Sequence, residues 1–265
     1  MATDDEEIQT KVLKEVMKHC QNVSFTNLPP ELSREVHKII REITGSKDPY
    51  KKVKDKSNEI AKKDYSYLKK LVIESDDPLL MAIKLSIVGN VIDFGTTNRF
   101  NVNDMIDNAI KQEFDTSSYP QFKRALEQSE TILFLADNAG EIFYDKLLLE
   151  ELAKKQITYA VKANPIINDA LTEDAKFAGI DKLATVIEGD SGQELSSPGM
   201  ILSYASENFL KIFELSDMVL SKGQGNYEGL SDVDRDVFFM LVVKCPLVAR
   251  DIGSEVGKLI LKVKE

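Results

Sequence analysis

The 265-residue chain contains two cysteines, two histidines and no tryptophan. Cys20 and Cys245 are far apart and form no CxxC pair, which argues against a disulfide framework or a cysteine-rich zinc site. His19 and His37 both fall in the N-terminal part. A histidine-built zinc or iron site is therefore not expected, and any metal must rely on oxygen ligands. Net positive charge is also missing: the formal charge is -10, without the basic balance usual in nucleic-acid binders. No apolar run reaches the roughly 20 residues that span a membrane. The start, Met1-Ala-Thr-Asp-Asp-Glu-Glu7, is acidic and unlike a secretory leader. A cytoplasmic protein with neither nucleic-acid nor membrane partner is expected. GxxxxGK[ST] and GxSxG are both absent, which leaves out a P-loop and a nucleophile elbow.

Hydrophobic residues make up 43% of the chain, enough for one large domain or two small ones. Apolar spacing predicts helices over 8–19, 31–44, about 48–62 and 68–75, then an apolar segment over 78–92. The lysine-rich run 51–63 reads as a solvated helix face. From about residue 120 the pattern alternates. Strands are expected at 131–136, 158–161, 185–188, 218–220 and 237–243, with helices at 121–128, 143–155, 171–177 and 198–213. Gly253-Ser254 then leads into a last short apolar segment. This predicts an α/β fold: a helical domain over 1–115 and a Rossmann-like, mainly parallel α/β domain over 116–265 that carries the site.

Each expected strand ends in polar residues: Asp137-Asn138, then Lys162-Ala-Asn164-Pro165 leading to Asn168-Asp169, then Glu188-Gly-Asp190, then Lys222-Gly-Gln-Gly225-Asn226-Tyr-Glu228. A parallel sheet gathers such ends at one edge, where ligands bind in open α/β folds. Carboxylates, amides, lysines and glycines together suit metal-assisted phosphoryl transfer to water. A hard cation such as Mg²⁺ or Mn²⁺ takes these oxygens and polarises a phosphoryl group. Lys222 would offer fixed positive charge, and Gly223 and Gly225 would let backbone N–H groups approach phosphate oxygens. Asn90 and Asp93, one helical turn apart, would line the pocket from the helical part.

Asp-Asn-Ala-Gly-Glu, Lys-Ala-Asn-Pro-Ile-Ile-Asn-Asp and Lys-Gly-Gln-Gly-Asn-Tyr-Glu resemble the damage-control phosphatases, a group long known as domain of unknown function 89. Asp48-Pro-Tyr50, Gly89-Asn90-Val-Ile-Asp93 and Lys244-Cys-Pro246 fit the same pattern, so the resemblance covers most of the chain. Gly225-Asn226-Tyr227-Glu228 is similar to the Gly-Asn-Phe-Glu signature of the archaeal and bacterial branch. The resemblance implies a divalent-metal phosphatase acting on small phosphorylated metabolites, with Mn²⁺, Mg²⁺, Co²⁺ or Ni²⁺ as cofactor. It places the metal ligands on Asp137, Asn138 and Asp169 and the substrate lysine on Lys222. Asn226 and Lys162 become substrate contacts, and either Asp169 or Glu228 accepts the proton. One departure is plain: the branch often carries paired cysteines near its start, whereas Cys20 stands alone.

Plainer readings exist for each residue. Asp137-Asn138 and Asp169 make good helix caps. Lys222 could be a solvated strand-end lysine, Lys162 and Asp190 read equally as ordinary loop residues, and Cys245 reads as a packed thiol. Two other functions use the same sheet edge: a non-catalytic phospho-metabolite binder, and a methyltransferase using S-adenosylmethionine.

Overall fold

The structure, a computed structural model, describes residues 2–24, 26–90, 102–112, 114–192 and 195–264. In chain order its helices begin with α1 (Glu6–Cys20), α2 (Pro29–Thr44), α3 (Lys51–Ile73), α4 (Pro78–Val88) and α5 (Val102–Lys111). Then follow β1 (Phe114–Asp115), α6 (Tyr119–Gln128), β2 (Thr131–Leu135), α7 (Ile142–Glu151), β3 (Gln156–Val161) and α8 (Thr172–Ala178). The chain continues with β4 (Thr185–Glu188), α9 (Glu207–Leu215), β5 (Met218–Lys222), α10 (Gln224–Leu230), β6 (Val237–Val242), α11 (Pro246–Ile252) and β7 (Leu259–Lys264). Among the described residues no helix is long and apolar enough to cross a membrane.

Seven strands form one sheet in the order β1-β7-β6-β5-β2-β3-β4. All pairs are parallel except β6 with β7. Alternation along the strands divides the core. Ile132, Phe134, Leu220, Phe238 and Met240 face a cluster shared with α3, α4 and α7, while Leu133, Leu135, Val219, Phe239 and Leu241 face Phe209, Phe213 and Tyr227. The first cluster joins Leu68 and Ile83 to the strands, so one core crosses the expected 115/116 division. The chain runs β2-β3-β4 in one direction, then returns to place β5 on the other side of β2. The C-terminal ends of β2 and β5 thus flank the topological switch point, the usual ligand crevice.

Four features differ from the sequence expectation. The helices expected at 48–62 and 68–75 are one helix, α3. No Gly or Pro interrupts it, and Ala61, Leu68 and Val72 continue one buried stripe. Within the lysine-rich run, Lys54 is fully buried and paired with Asp48 at 2.7 Å. The segment 198–213 is not a single helix. Ser206 caps α9 by accepting from Phe209 N at 3.1 Å, and only a short 3-10 turn at Leu202–Tyr204 precedes it. The glycine loop after β5 is mostly helix. Gly225 and Gly229 weigh against α10 by propensity, yet each lies where a Cβ would come within 2.2 Å of Pro198 O or 2.0 Å of Met200 O.

Gly225→Ala is therefore expected to lower the urea midpoint by overpacking two backbones, at a cost of about 1–3 kcal/mol. Unchanged urea stability would remove the packing explanation for this glycine.

Candidate active site at the C-terminal sheet edge

Asp137 and Asn138 leave β2 at the switch point. Opposite them the end of β5 turns at Gly223, whose φ of +80° and ψ of 159° belong to a region essentially reserved for glycine. A Cβ there would lie 2.0 Å from Asp137 Oδ2. Gly223 thus lets the carboxylate sit directly against the turn. Asp137 Oδ2 accepts from Asn90 Nδ2 at 2.6 Å and Asn138 Nδ2 at 2.9 Å. The same two amides donate to Glu141 Oε2, at 2.8 and 3.0 Å. Two NH₂ groups therefore sit between two carboxylates, as a cation would.

Asp169 arrives on the loop after β3. Ala139 N donates to Asn168 O and Ala170 N to Asp137 O, both at 2.8 Å, and Asn138 and Asp169 form an antiparallel bridge. Asp169 is buried, and its Oδ1 has no hydrogen-bond partner. Lys162 Nζ stands 3.9 Å from that oxygen and has no other ion-pair partner among the described residues. The loop is strained at Ile167, a β-branched residue at φ +41°. Asn90 Oδ1 is also buried without a partner.

The electrostatics follow from burial. Asp137 is pushed up to about 7, chiefly by loss of solvent and then by Glu141, against the pull of Lys244, Lys222 and Lys162. Burial also drives Asp169 well above the usual carboxylate range; Lys162 opposes this and Asp137 adds to it.

Lys222 lies behind the site. It is fully buried, and Nζ donates to Glu141 Oε1 at 2.6 Å, Asp145 Oδ1 at 2.5 Å and Ser86 O at 2.8 Å. An ammonium has three donors, and all three are taken. Burial disfavours its charge, but Asp145 and Glu141 outweigh that and hold its pKa raised. Asp145 also accepts from Ser86 Oγ at 2.7 Å and Tyr159 OH at 2.8 Å. The direct phosphate contact expected of Lys222 does not match this geometry, in which it holds Glu141.

Other expected site residues divide similarly. Asn226 is buried and spends its amide on Ala136 O (3.0 Å), Lys222 O (2.8 Å) and Met200 N (2.7 Å), so it ties β2 to β5. Gly225 packs against Pro198. Glu228 Oε1 accepts from Gln224 Nε2 at 2.8 Å, and Gln224 in turn accepts from Lys244 N. Burial raises the Glu228 carboxyl. Asp190 accepts from Ala163 N at 3.3 Å and braces the loop after β3. Asp93 lies outside the described residues. Sequence reasoning passed over Glu141 and Lys244. Glu141 stood inside the quoted motif but was given no role there. Lys244 is an exposed lysine that was quoted in the Lys244-Cys-Pro246 motif without a role.

Lys222→Met should cost about 3–5 kcal/mol in urea unfolding, because it strands two buried carboxylates. A change under about 0.5 kcal/mol, as at an ordinary surface lysine, would contradict this anchoring role. Asp137 sets a pH dependence in metal-free protein. Between about pH 4 and 7 the folded state keeps a proton that the unfolded chain has lost. That contribution is complete below about pH 4 and disappears as pH rises through 7. Stability should therefore fall across this window, by at most about 4 kcal/mol, and Asp137→Asn should flatten the profile.

Known proteins are similar to this chain in sequence and fold. Residues 1–260 match the family model described as the damage-control phosphatase ARMT1-like domain. An uncharacterized protein of Methanocaldococcus jannaschii is 37% identical, over 98% of this chain and 88% of its own length. A damage-control phosphatase of Archaeoglobus fulgidus is 34% identical, over 100% of this chain and 93% of its own. The crystal structure of a DUF89 family protein from Pyrococcus horikoshii aligns with a TM-score of 0.89 at 30% identity, covering 100% of this chain and 92% of that one. Matched in sequence and fold over nearly its whole length, the chain belongs to the damage-control phosphatase ARMT1-like (DUF89) family.

Proposed function

We propose that the chain is a divalent-metal-dependent phosphatase that hydrolyses phosphoric monoesters of small metabolites. Its relatives from Archaeoglobus fulgidus and Pyrococcus horikoshii are named damage-control phosphatases. The observation that carries the reading is Asp169 Oδ1, buried and without a hydrogen-bond partner beside Asp137 and Asn138.

The donor set fits a hard cation. Among the described residues no group of three or more His, Cys, Asp and Glu side chains forms a metal cluster. The site instead offers two carboxylates and an amide, oxygen donors that leave coordination positions for water and substrate. Asp137, Asn138 and Asp169 would hold the ion. The Asn138 NH₂ is already committed to Glu141, which leaves its Oδ1 as the free donor atom. A divalent cation bound there supplies Lewis-acid polarisation of a phosphoryl oxygen.

The protein's own groups would do the rest. Lys162 and Lys244 offer positive charge to the phosphate, taking the place expected of Lys222. Lys222 fixes Glu141, and through it the Asn138 amide. Asp169 or Glu228 would accept the proton from attacking water. Glu228, engaged by Gln224, is the lesser candidate.

Release of phosphate from p-nitrophenyl phosphate with Mn²⁺, Co²⁺, Ni²⁺ or Mg²⁺ tests this reading. Chelator and Asp137→Ala should each reduce the rate by more than about a hundredfold, beyond the loss typical of an outer-shell change. The metal should also raise Tm more at pH 8 than at pH 5, since it must displace a proton from Asp137. Activity that survives both treatments would eliminate the metal mechanism.

A further inference from the structure

A cleft of about 450 Å³ opens beside the C-terminal end of α2, lined by Lys38, Arg41, Glu42, Ser46, Lys47 and Leu195 among others. It lies at the sheet edge that carries the site. Arg41 Nη1 donates to Pro165 O at 3.4 Å, on the loop after β3, and Arg34 Nε donates to Leu195 O at 3.3 Å, on the segment after β4. Pro165 is four residues from Asp169, which bounds their Cα separation to about 14 Å. That span is on the scale of one phosphorylated sugar acid.

Basic residues near a helix C-terminus have a plain explanation, since they complement roughly half a negative charge there. That explanation does not require a cavity. Three cations and one carboxylate leave two net positive charges on this lining, which outweigh the half charge of the helix end, in a chain of net charge -10. Arg41 is half-buried and has one acceptor, Pro165 O, for its five N–H donors. Lys47 is exposed and has no ion-pair partner among the described residues. A guanidinium fork with free donors matches the geometry of carboxylate or phosphate.

We propose that this cleft binds a second oxyanion of the substrate, a carboxylate or phosphate at the end remote from the phosphate that is cleaved. The inference rests on the phosphatase reading and narrows it to metabolites with two anionic ends.

Two compounds of one chain length isolate the effect: 6-phosphogluconate, which has a terminal carboxylate, and sorbitol 6-phosphate, which has a hydroxymethyl group instead. The metal-supplemented enzyme should favour 6-phosphogluconate by about tenfold in kcat/KM, the scale of one charge-assisted hydrogen bond. Lys47→Glu and Arg41→Gln should each bring that ratio toward one, mainly through KM. Lys47 makes no hydrogen bond or ion pair to either loop among the described residues, so its variant separates charge from any shift of Pro165. A ratio near one in the wild type, or a ratio unmoved by both variants, overturns the proposal. So does an equal loss on both substrates, which would mean that Arg41 acts only through Pro165 on Asp169. Calorimetry with inorganic pyrophosphate on chelator-treated protein gives a readout that needs no turnover. Binding lost in both variants supports the oxyanion site; no binding, or binding retained in both, overturns it. No phosphate release from either sugar phosphate, with pyrophosphate still bound in the cleft, would defeat the phosphatase reading and with it the substrate assignment, but not the anion site.

Discussion

The buried ammonium of Lys222 joins three layers of the molecule. It ends β5, pairs with Glu141 and Asp145 at the start of α7, and reaches the Ser86 carbonyl in α4. Each partner alone would be costly to bury. Two carboxylates at 0% exposure are tolerable because one fully coordinated cation lies between them. Fixing Glu141 fixes the direction of the Asn138 and Asn90 amides, and through them Asp137. The geometry at the sheet edge is therefore inherited from a buried charge network behind it.

Desolvation opposes charge at both levels, and what differs is the pairing that offsets it. Around Lys222 the charges meet in short ion pairs. At Asp137 and Asp169 no lysine among the described residues comes closer than the 3.9 Å of Lys162, and burial raises both pKa values. Acceptor oxygen without a hydrogen bond, amide donors between two carboxylates and a carboxyl near neutrality meet at this edge. Gly223 makes this crowding possible, because any side chain there would collide with Asp137.

Much of this was legible in the sequence. The strands at 131–136 and 237–243 were short apolar runs closed by turn residues, and such runs are hard to misread. The convergence of Asp137, Asn138 and Asp169 followed from polar residues recurring at successive strand ends. Lys222 was located correctly but given the wrong surroundings, because its partners Glu141 and Asp145 are about 80 residues away and no local pattern connects them. Asn226 looked like a substrate contact because a polar amide beside glycines reads as exposed, although two of its three partners, Ala136 O and Met200 N, lie in segments remote in sequence. The helix α10 was hidden by its glycines. Local propensity counts against them there, and the reason for them is a second backbone packed across the helix.

The loop that carries Asp169 shows how the fold sustains an unfavourable conformation. A β-branched residue at φ +41° costs on the order of 1–3 kcal/mol. Two backbone hydrogen bonds to the 137–139 segment, and the bond from Lys162 N to Ala170 O, each contribute about 1 kcal/mol, so the sum is sufficient to hold the turn. Asp190 and Arg41 brace the same loop from opposite sides, at Ala163 N and Pro165 O. A turn that would relax if left free is thus fixed at both ends by the elements beside it. Asp169 is held with its Oδ1 free of hydrogen bonds, 3.9 Å from the Lys162 ammonium.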